Sequence, residues 1–303
     1  MIKTTLIGLG KIGYLYDKNN TSFKITHFSS LSKDRRFKIV SVVEKKNKII
    51  KNLKKISYLK VYNNIESAII KNNSKFLVIA CDLNFKYLKN FIIKTDIKYI
   101  LVEKPFNISR NNFIELKKLL RKKKILFFIN FQRNYFKNYL KLFKHIRNGI
   151  IGKELKCYCY YNNKFENNGT HLLNLILLIK RKFLNVIKID NNILNIKFKK
   201  LDVYFINIGD NYNNNSITIF GNKGKIDISS RPEIAKMYAI KRDKIYFDKN
   251  ILKFKKNIKL YEKYPQSFVL NHVFNSIKKN QSSLEHISEY IKIMYKIKKK
   301  NEN

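Results

Sequence analysis

The chain has 303 residues, 45% of them hydrophobic, enough for two domains with buried cores. Its three cysteines exclude a disulfide framework in a chain this long, and no apolar run is long enough to span a bilayer, Leu172–Ile179 stopping far short. Lys and Arg number 64 against 21 Asp and Glu, a net charge of +43, yet Lys occurs in every segment and forms no basic tail or single stripe.

That even spread, with abundant Asn and Ile and no Trp, reads as the compositional drift of an AT-rich coding sequence. Nonspecific polyanion binding follows as a by-product. No specific nucleic acid and no membrane is expected as a partner, and no metal site is indicated. The lack of a signal peptide points to the cytoplasm.

Thr4-Thr5-Leu6-Ile7-Gly8-Leu9-Gly10-Lys11-Ile12-Gly13 is an apolar run that ends in a G-x-G-x-x-G turn and passes into a short predicted helix. Gly8 permits a tight turn out of a first strand, Gly10 lets the backbone approach a pyrophosphate, and Gly13 lets the helix pack on the strand. The pyrophosphate is expected on the free N–H groups of the helix start, which makes Gly8, Gly10, Lys11, Ile12 and Gly13 cofactor-binding candidates.

Phe37–Val43 is a second predicted strand and ends at Glu44, where a dinucleotide fold holds the ribose hydroxyls. Glu44 lies 31 positions after Gly13, against the usual ~20, so an insertion is expected between them. NAD(H) is the favoured cofactor; Lys45 and Lys46 make NADP(H) possible.

Strands and helices then alternate. Tyr58–Tyr62, Phe76–Ala80, Tyr99–Val102 and Ile125–Ile129 read as strands, and Ile65–Lys71, Phe85–Lys94 and Asn112–Lys124 as helices. This rhythm predicts an α/β domain with a doubly wound parallel sheet over residues 1–129, its ligand at the carboxyl ends of the strands. Ala80 and Glu103, at two of those ends, join the cofactor-binding candidates. So does Lys104, placed to hold a substrate oxygen by a charge-assisted hydrogen bond.

From Asn130 the rhythm changes. A helix over Phe136–Asn148 precedes a strand at Leu155–Tyr161, in which Cys157 and Cys159 alternate around Tyr158 and share one face as reduced, partly buried thiols. After a helix near Gly169 come the strands Ile193–Phe198, Leu201–Ile208, Ser216–Phe220 and Lys225–Ile228, then the helices Tyr264–Asn280 and Leu284–Lys299. Consecutive strands predict an α+β second domain over residues 130–303 with a mainly antiparallel open sheet.

The glycine turn, Glu103-Lys104-Pro105, Asn130-Phe131-Gln132-Arg133-Asn134-Tyr135 and Asn168-Gly169-Thr170-His171 together resemble the Gfo/Idh/MocA oxidoreductase family. The resemblance covers nearly the whole chain. Gly221-Asn222-Lys223-Gly224 is similar to that family's late hairpin and Ser283-Leu284-Glu285 to the start of its terminal helix. Gly10-Lys11-Ile12-Gly13 with Tyr16-Asp17 and His27, together with the run Asn167-Asn168-Gly169-Thr170-His171, looks like a branch found in surface-polysaccharide and flagellar-glycan pathways. The resemblance implies a Rossmann domain and a second domain whose open sheet forms a homo-oligomer interface. It also implies NAD(P)-dependent hydride transfer at a hydroxyl or keto carbon of a sugar, cyclitol or sugar nucleotide.

Carried over, Lys104 is the catalytic or substrate-orienting lysine and His171 the acid/base residue, while Arg133 approaches substrate or cofactor. Two departures stand out. Asn167 and Asn174 occupy positions where the family has Asp, and both are substrate-binding candidates. Asn174 can orient the imidazole but cannot stabilise its charged form, which predicts a lower pKa for His171 than in the family's usual site. An alternative reading is therefore a catalytically impaired protein that keeps its dinucleotide as a structural or sensing ligand.

Overall fold

The computed structural model describes residues 1–17, 25–53, 59–210 and 215–301. The chain divides into two compact units, the first of Met1–Gln132 and Lys263–Ile287, the second of Arg133–Glu262 and Ser288–Asn303.

In the first unit, β1 (Ile2–Ile7), α1 (His27–Lys33), β2 (Phe37–Val43), α2 (Asn47–Leu53) and β3 (Lys60–Tyr62) come first. There follow α3 (Ile65–Asn72), β4 (Phe76–Ile79), α4 (Phe85–Lys94), β5 (Tyr99–Val102), α5 (Arg110–Lys122) and β6 (Leu126–Ile129). All six strands are parallel in the order β3-β2-β1-β4-β5-β6. Every residue of β4 and β6 is buried, as a strand covered on both faces requires. Helices α3, α4 and α5 start on Asn64, Asn84 and Ser109, whose side chains accept a backbone N–H of the first turn. Tyr58, predicted to open the third strand, lies outside the described residues.

In the second unit α6 (Lys137–Arg147) precedes β7 (Glu154–Tyr161), α7 (Thr170–Leu177), β8 (Phe183–Lys188), β9 (Ile193–Phe198) and β10 (Leu201–Asn207). Then come β11 (Ser216–Gly221), β12 (Gly224–Ser230), β13 (Glu233–Arg242) and β14 (Asn250–Lys259). The strand order is β14-β13-β12-β11-β7-β10-β9-β8, and among the described residues every pairing is antiparallel except β7 with β10. Gly221 pairs with Gly224, so Asn222-Lys223 is the predicted hairpin turn. Cys157 and Cys159 do share a face, with sulfurs 3.9 Å apart, but both are fully buried rather than partly.

α8 (Pro265–Lys278) and α9 (Leu284–Asn301) close the chain. A single crossing near residue 130 is therefore too simple, because α8 belongs to the first unit. Val269, Leu270 and Val273 of α8 are buried, the Phe274 ring lies 6.1 Å from that of Phe37, and Arg36 donates to the Asn271 amide oxygen at 2.8 Å. Among the described residues no helix is long and apolar enough to cross a membrane.

Candidate functional site

At the end of β1 the glycines separate into two kinds. Gly8 has φ +80°, and a Cβ there would lie 2.7 Å from that of Cys81; a Cβ on Gly13 would lie 2.1 Å from the Gly8 carbonyl oxygen. The fold itself demands these two. A Cβ on Gly10 would meet nothing within 4 Å, so no packing in the chain explains that glycine. Room for a ligand does. Among the described residues no main-chain bond takes up the N–H groups of Gly10, Lys11, Ile12 and Gly13, which suits an anion.

The expected helix does not follow Gly13 directly. Residues 11–14 form a turn and Leu15–Asp17 a 3-10 turn. The N–H of His27 then bonds the Ile12 carbonyl at 3.1 Å, and that of Phe28 bonds the Gly13 carbonyl at 3.0 Å. In an unbroken helix residues 16 and 17 would make those bonds. α1 thus takes up the bonds of an unbroken helix eleven positions late, and removing eleven from the 31 positions between Gly13 and Glu44 leaves the ordinary 20. The ends of the excursion are tied at the buried Asp17. Its carboxylate accepts the N–H groups of Ile25 and Thr26 (3.0 and 2.8 Å), the Thr26 hydroxyl (2.7 Å) and the Ser29 hydroxyl. Burial raises the Asp17 pKa, but these donors outweigh it and hold the group below the usual range.

Glu44 is buried at the end of β2. Its Oε2 accepts the Leu9 N–H at 2.8 Å, and its Oε1 accepts those of Lys45 and Lys46 at 2.8 and 2.9 Å. It therefore braces the glycine loop as well as lining a cleft of about 690 Å³ with Gly8, Gly10, Ala80, Cys81 and Asp82. The cleft opens over the carboxyl ends of β1, β2 and β4, where the strand order of the sheet reverses. Lys11, Ile12, Gly13, Glu103 and Lys104 do not line it. Cys81, Asp82, Asn63 and Tyr87 do, although the sequence reading passed them over. Cys81 and Asp82 were within reach of the rule that made Ala80 a candidate, since they continue the same strand end.

Glu103 follows β5 and anchors a buried polar cluster. Its Oε1 lies 2.6 Å from His27 Nε2 and 2.5 Å from Asn130 Nδ2, and Asn130 Nδ2 is 3.1 Å from the Gln266 oxygen. Its Oε2 accepts the Lys104 N–H at 3.2 Å, so the carboxylate fixes the backbone of the half-buried lysine. Burial alone would raise the Glu103 pKa; the bond and charge of His27, with Asn130 and the Lys104 N–H, bring it below the ordinary value.

In the second unit Arg133 directs Nε and Nη2 at one oxygen of Glu233, both at 2.7 Å. A half-buried guanidinium needs such a counter-charge. Arg133, expected to approach substrate or cofactor, has its charge matched there by Glu233. The chain enters α7 through a π-helical turn over Phe165–Gly169, a local form frequent at functional sites. His171 is the second residue of α7 and is half-buried. Asn167 is exposed on the turn, where a substrate contact is open to it. Asn174 is fully buried and donates to the Thr170 carbonyl at 2.8 Å, so a direct substrate contact does not fit it.

No protein-family model matches the sequence, and no curated protein does. Solved structures match over its whole length. A Desulfitobacterium hafniense protein described as an NADPH-dependent oxidoreductase aligns with TM-score 0.77 at 12% identity, covering 99% of this chain and 96% of its own. A Thermotoga maritima protein described as a dehydrogenase gives 0.70 at 16% identity, covering 99% and 97%. The transcriptional regulator Gal80p of Kluyveromyces lactis gives 0.74 at 14% identity, covering 99% and 92%. The chain has the fold of the Gfo/Idh/MocA-type oxidoreductases, as the motifs imply.

Two outcomes are expected. Gly13→Ala destabilises the protein by about 1–3 kcal/mol in denaturant unfolding, whereas Gly10→Ala leaves stability within about 1 kcal/mol and weakens dinucleotide binding. Because the folded pKa of Glu103 is depressed, its contribution is present above the ordinary 4.5 and disappears as pH falls through the lower folded value. Thermal melting followed from pH 7 into the acid range therefore loses a step in Glu103→Gln that the parent chain keeps.

Proposed function

We propose that the chain is an NAD(P)-dependent oxidoreductase that moves a hydride to or from a hydroxyl or keto carbon of a sugar, cyclitol or sugar nucleotide. The observation that carries the dinucleotide is Gly10, a glycine with open space where its Cβ would be, at the mouth of a cleft of about 690 Å³ rimmed by Glu44. The neighbours described as oxidoreductase and dehydrogenase support the reaction class.

In this reading the loop N–H groups of residues 10–13 hold the pyrophosphate and Glu44 accepts from the ribose. A buried carboxylate repels a 2′-phosphate, which favours NAD(H), while the exposed Lys45 and Lys46 keep NADP(H) open. The bound nicotinamide supplies or accepts the hydride. Lys104, with its backbone tied to Glu103, donates a hydrogen bond to the substrate oxygen and favours the alkoxide as its proton leaves. His171 is the acid/base residue, as the resemblance implies. A second copy of the chain packs on the open face of the second sheet, where Tyr158 and Tyr204 stack at 5.3 Å with Phe220 edge-on to Tyr158 at 6.1 Å.

A second reading has its own support. Gal80p of Kluyveromyces lactis is a transcriptional regulator with this fold, and Asn167 and Asn174 replace carboxylates beside His171. That reading is a dinucleotide-binding sensor without turnover.

Calorimetric titration with NADH and NADPH at near-physiological salt, followed by a panel of sugars and sugar nucleotides, separates them. NADH binds the parent chain, and Glu44→Ala weakens it about ten- to hundred-fold. Lys104→Ala abolishes turnover and leaves NADH binding within about two-fold, since Lys104 is not part of the cleft. Tight binding with no redox change on any substrate favours the sensor; no binding of either dinucleotide overturns both readings.

A further inference from the structure

β13 and β14 are the longest strands of the second sheet and form a ribbon at its edge, with nine of the ten residues of β14 exposed. The turn joining them carries Ile245, Tyr246 and Phe247, which are 76%, 59% and 69% exposed. It is an ordered turn. The Asp243 carboxylate accepts the N–H groups of Ile245 and Tyr246 at 2.8 and 3.4 Å, Lys249 N–H bonds the Tyr246 carbonyl at 2.9 Å, and the Arg242 guanidinium donates to the Phe247 carbonyl. Three adjacent bulky apolar side chains are thus held out in water by a preorganised backbone, an arrangement that calls for a partner.

The sides of the ribbon say which kind. Ile240 lies opposite Leu252 on one face and Lys241 opposite Ile251 on the other, and all three apolar residues are exposed. The Ile240–Leu252 side continues the open sheet face that a second copy covers in the reading above, whereas Ile251 faces the other way and residues 245–247 lie on the turn beyond the paired strands. Lys241, Arg242, Lys244, Lys249, Lys253 and Lys255 flank the apolar residues along the chain, and the only acids between 240 and 256 are Asp243 and Asp248. A nucleic-acid strand would use the lysines and the rings, but Ile245, the most exposed of the three, has no ring to stack.

We propose that the tip of this hairpin docks on the surface of an anionic lipid bilayer. Ile245, Tyr246 and Phe247 enter the headgroup boundary, and the lysines behind them meet the lipid phosphates. The expectation of no membrane partner rested on the lack of a spanning segment, and surface docking needs none. The proposal is independent of the dinucleotide reading.

The chain contains no Trp, so Phe247→Trp places a single indole at the tip of the full-length protein. Its emission shifts to the blue, and brominated acyl chains quench it, with vesicles containing phosphatidylglycerol and not with phosphatidylcholine alone. In a chain otherwise unaltered, Ile245→Ser, Tyr246→Ser and Phe247→Ser together weaken co-sedimentation with the anionic vesicles about ten-fold or more. Should the triple variant not fold, the indole emission alone decides. Four results overturn the proposal: no binding to anionic vesicles, vesicle binding by charge alone with no blue shift, a blue shift without vesicles in a protein that sediments as an oligomer, or a shift induced by RNA but not by vesicles.

Discussion

The first unit depends on the carbonyls of Ile12 and Gly13 being taken up by His27 and Phe28. A glycine turn alone leaves those acceptors unsatisfied, and a buried main-chain acceptor without a donor costs about as much as a lost hydrogen bond. α1 supplies the missing donors through the N–H groups of His27 and Phe28. It also brings the N–H of His27 to the bond that residue 16 of a continuous helix would make. From there His27 reaches Glu103, and Glu103 reaches the Lys104 backbone. The bonds that follow the insertion therefore run from α1 through Glu103 to the backbone of Lys104.

Three carboxylates hold that edge together in a chain that has only 21 acids. Asp17 ties the two ends of the excursion, Glu44 ties the glycine loop to β2, and Glu103 ties α1 to the strand end before Lys104. Each accepts at least three donors, and such charge-assisted bonds are roughly twice as strong as neutral ones. Many of the described lysines, Lys45 and Lys46 at this edge among them, are exposed, so the large net charge and the finely bonded edge coexist.

Much of this was legible in sequence. The parallel character of the first sheet followed from short apolar runs alternating with helices, and the excess spacing between Gly13 and Glu44 announced the insertion. What escaped has physical reasons. β14 exposes nearly all of its residues, so no buried face imposed an alternating pattern on Lys253-Phe254-Lys255-Lys256. The return of α8 to the first unit depends on long-range contacts such as Phe37 with Phe274, which leave no local trace. Arg133 matched a motif, but its partner Glu233 lies a hundred positions away. Motif spacing reports local geometry well and charge pairing hardly at all.

Electrostatics also separates two kinds of anion binding that a charge of +43 would otherwise blur. Exposed lysines attract any polyanion through solvent, and that attraction weakens as salt shortens the screening length to about 8–10 Å. In the proposed reading a dinucleotide in the cleft meets Gly10, Glu44 and apolar walls that include Ile7, Val43 and Ile49. Hydrogen bonds and apolar contacts in a cleft are short-ranged and partly desolvated, so salt screens them far less. Affinity that survives salt and falls with Glu44 belongs to the cleft, and affinity that vanishes with salt belongs to the lysines.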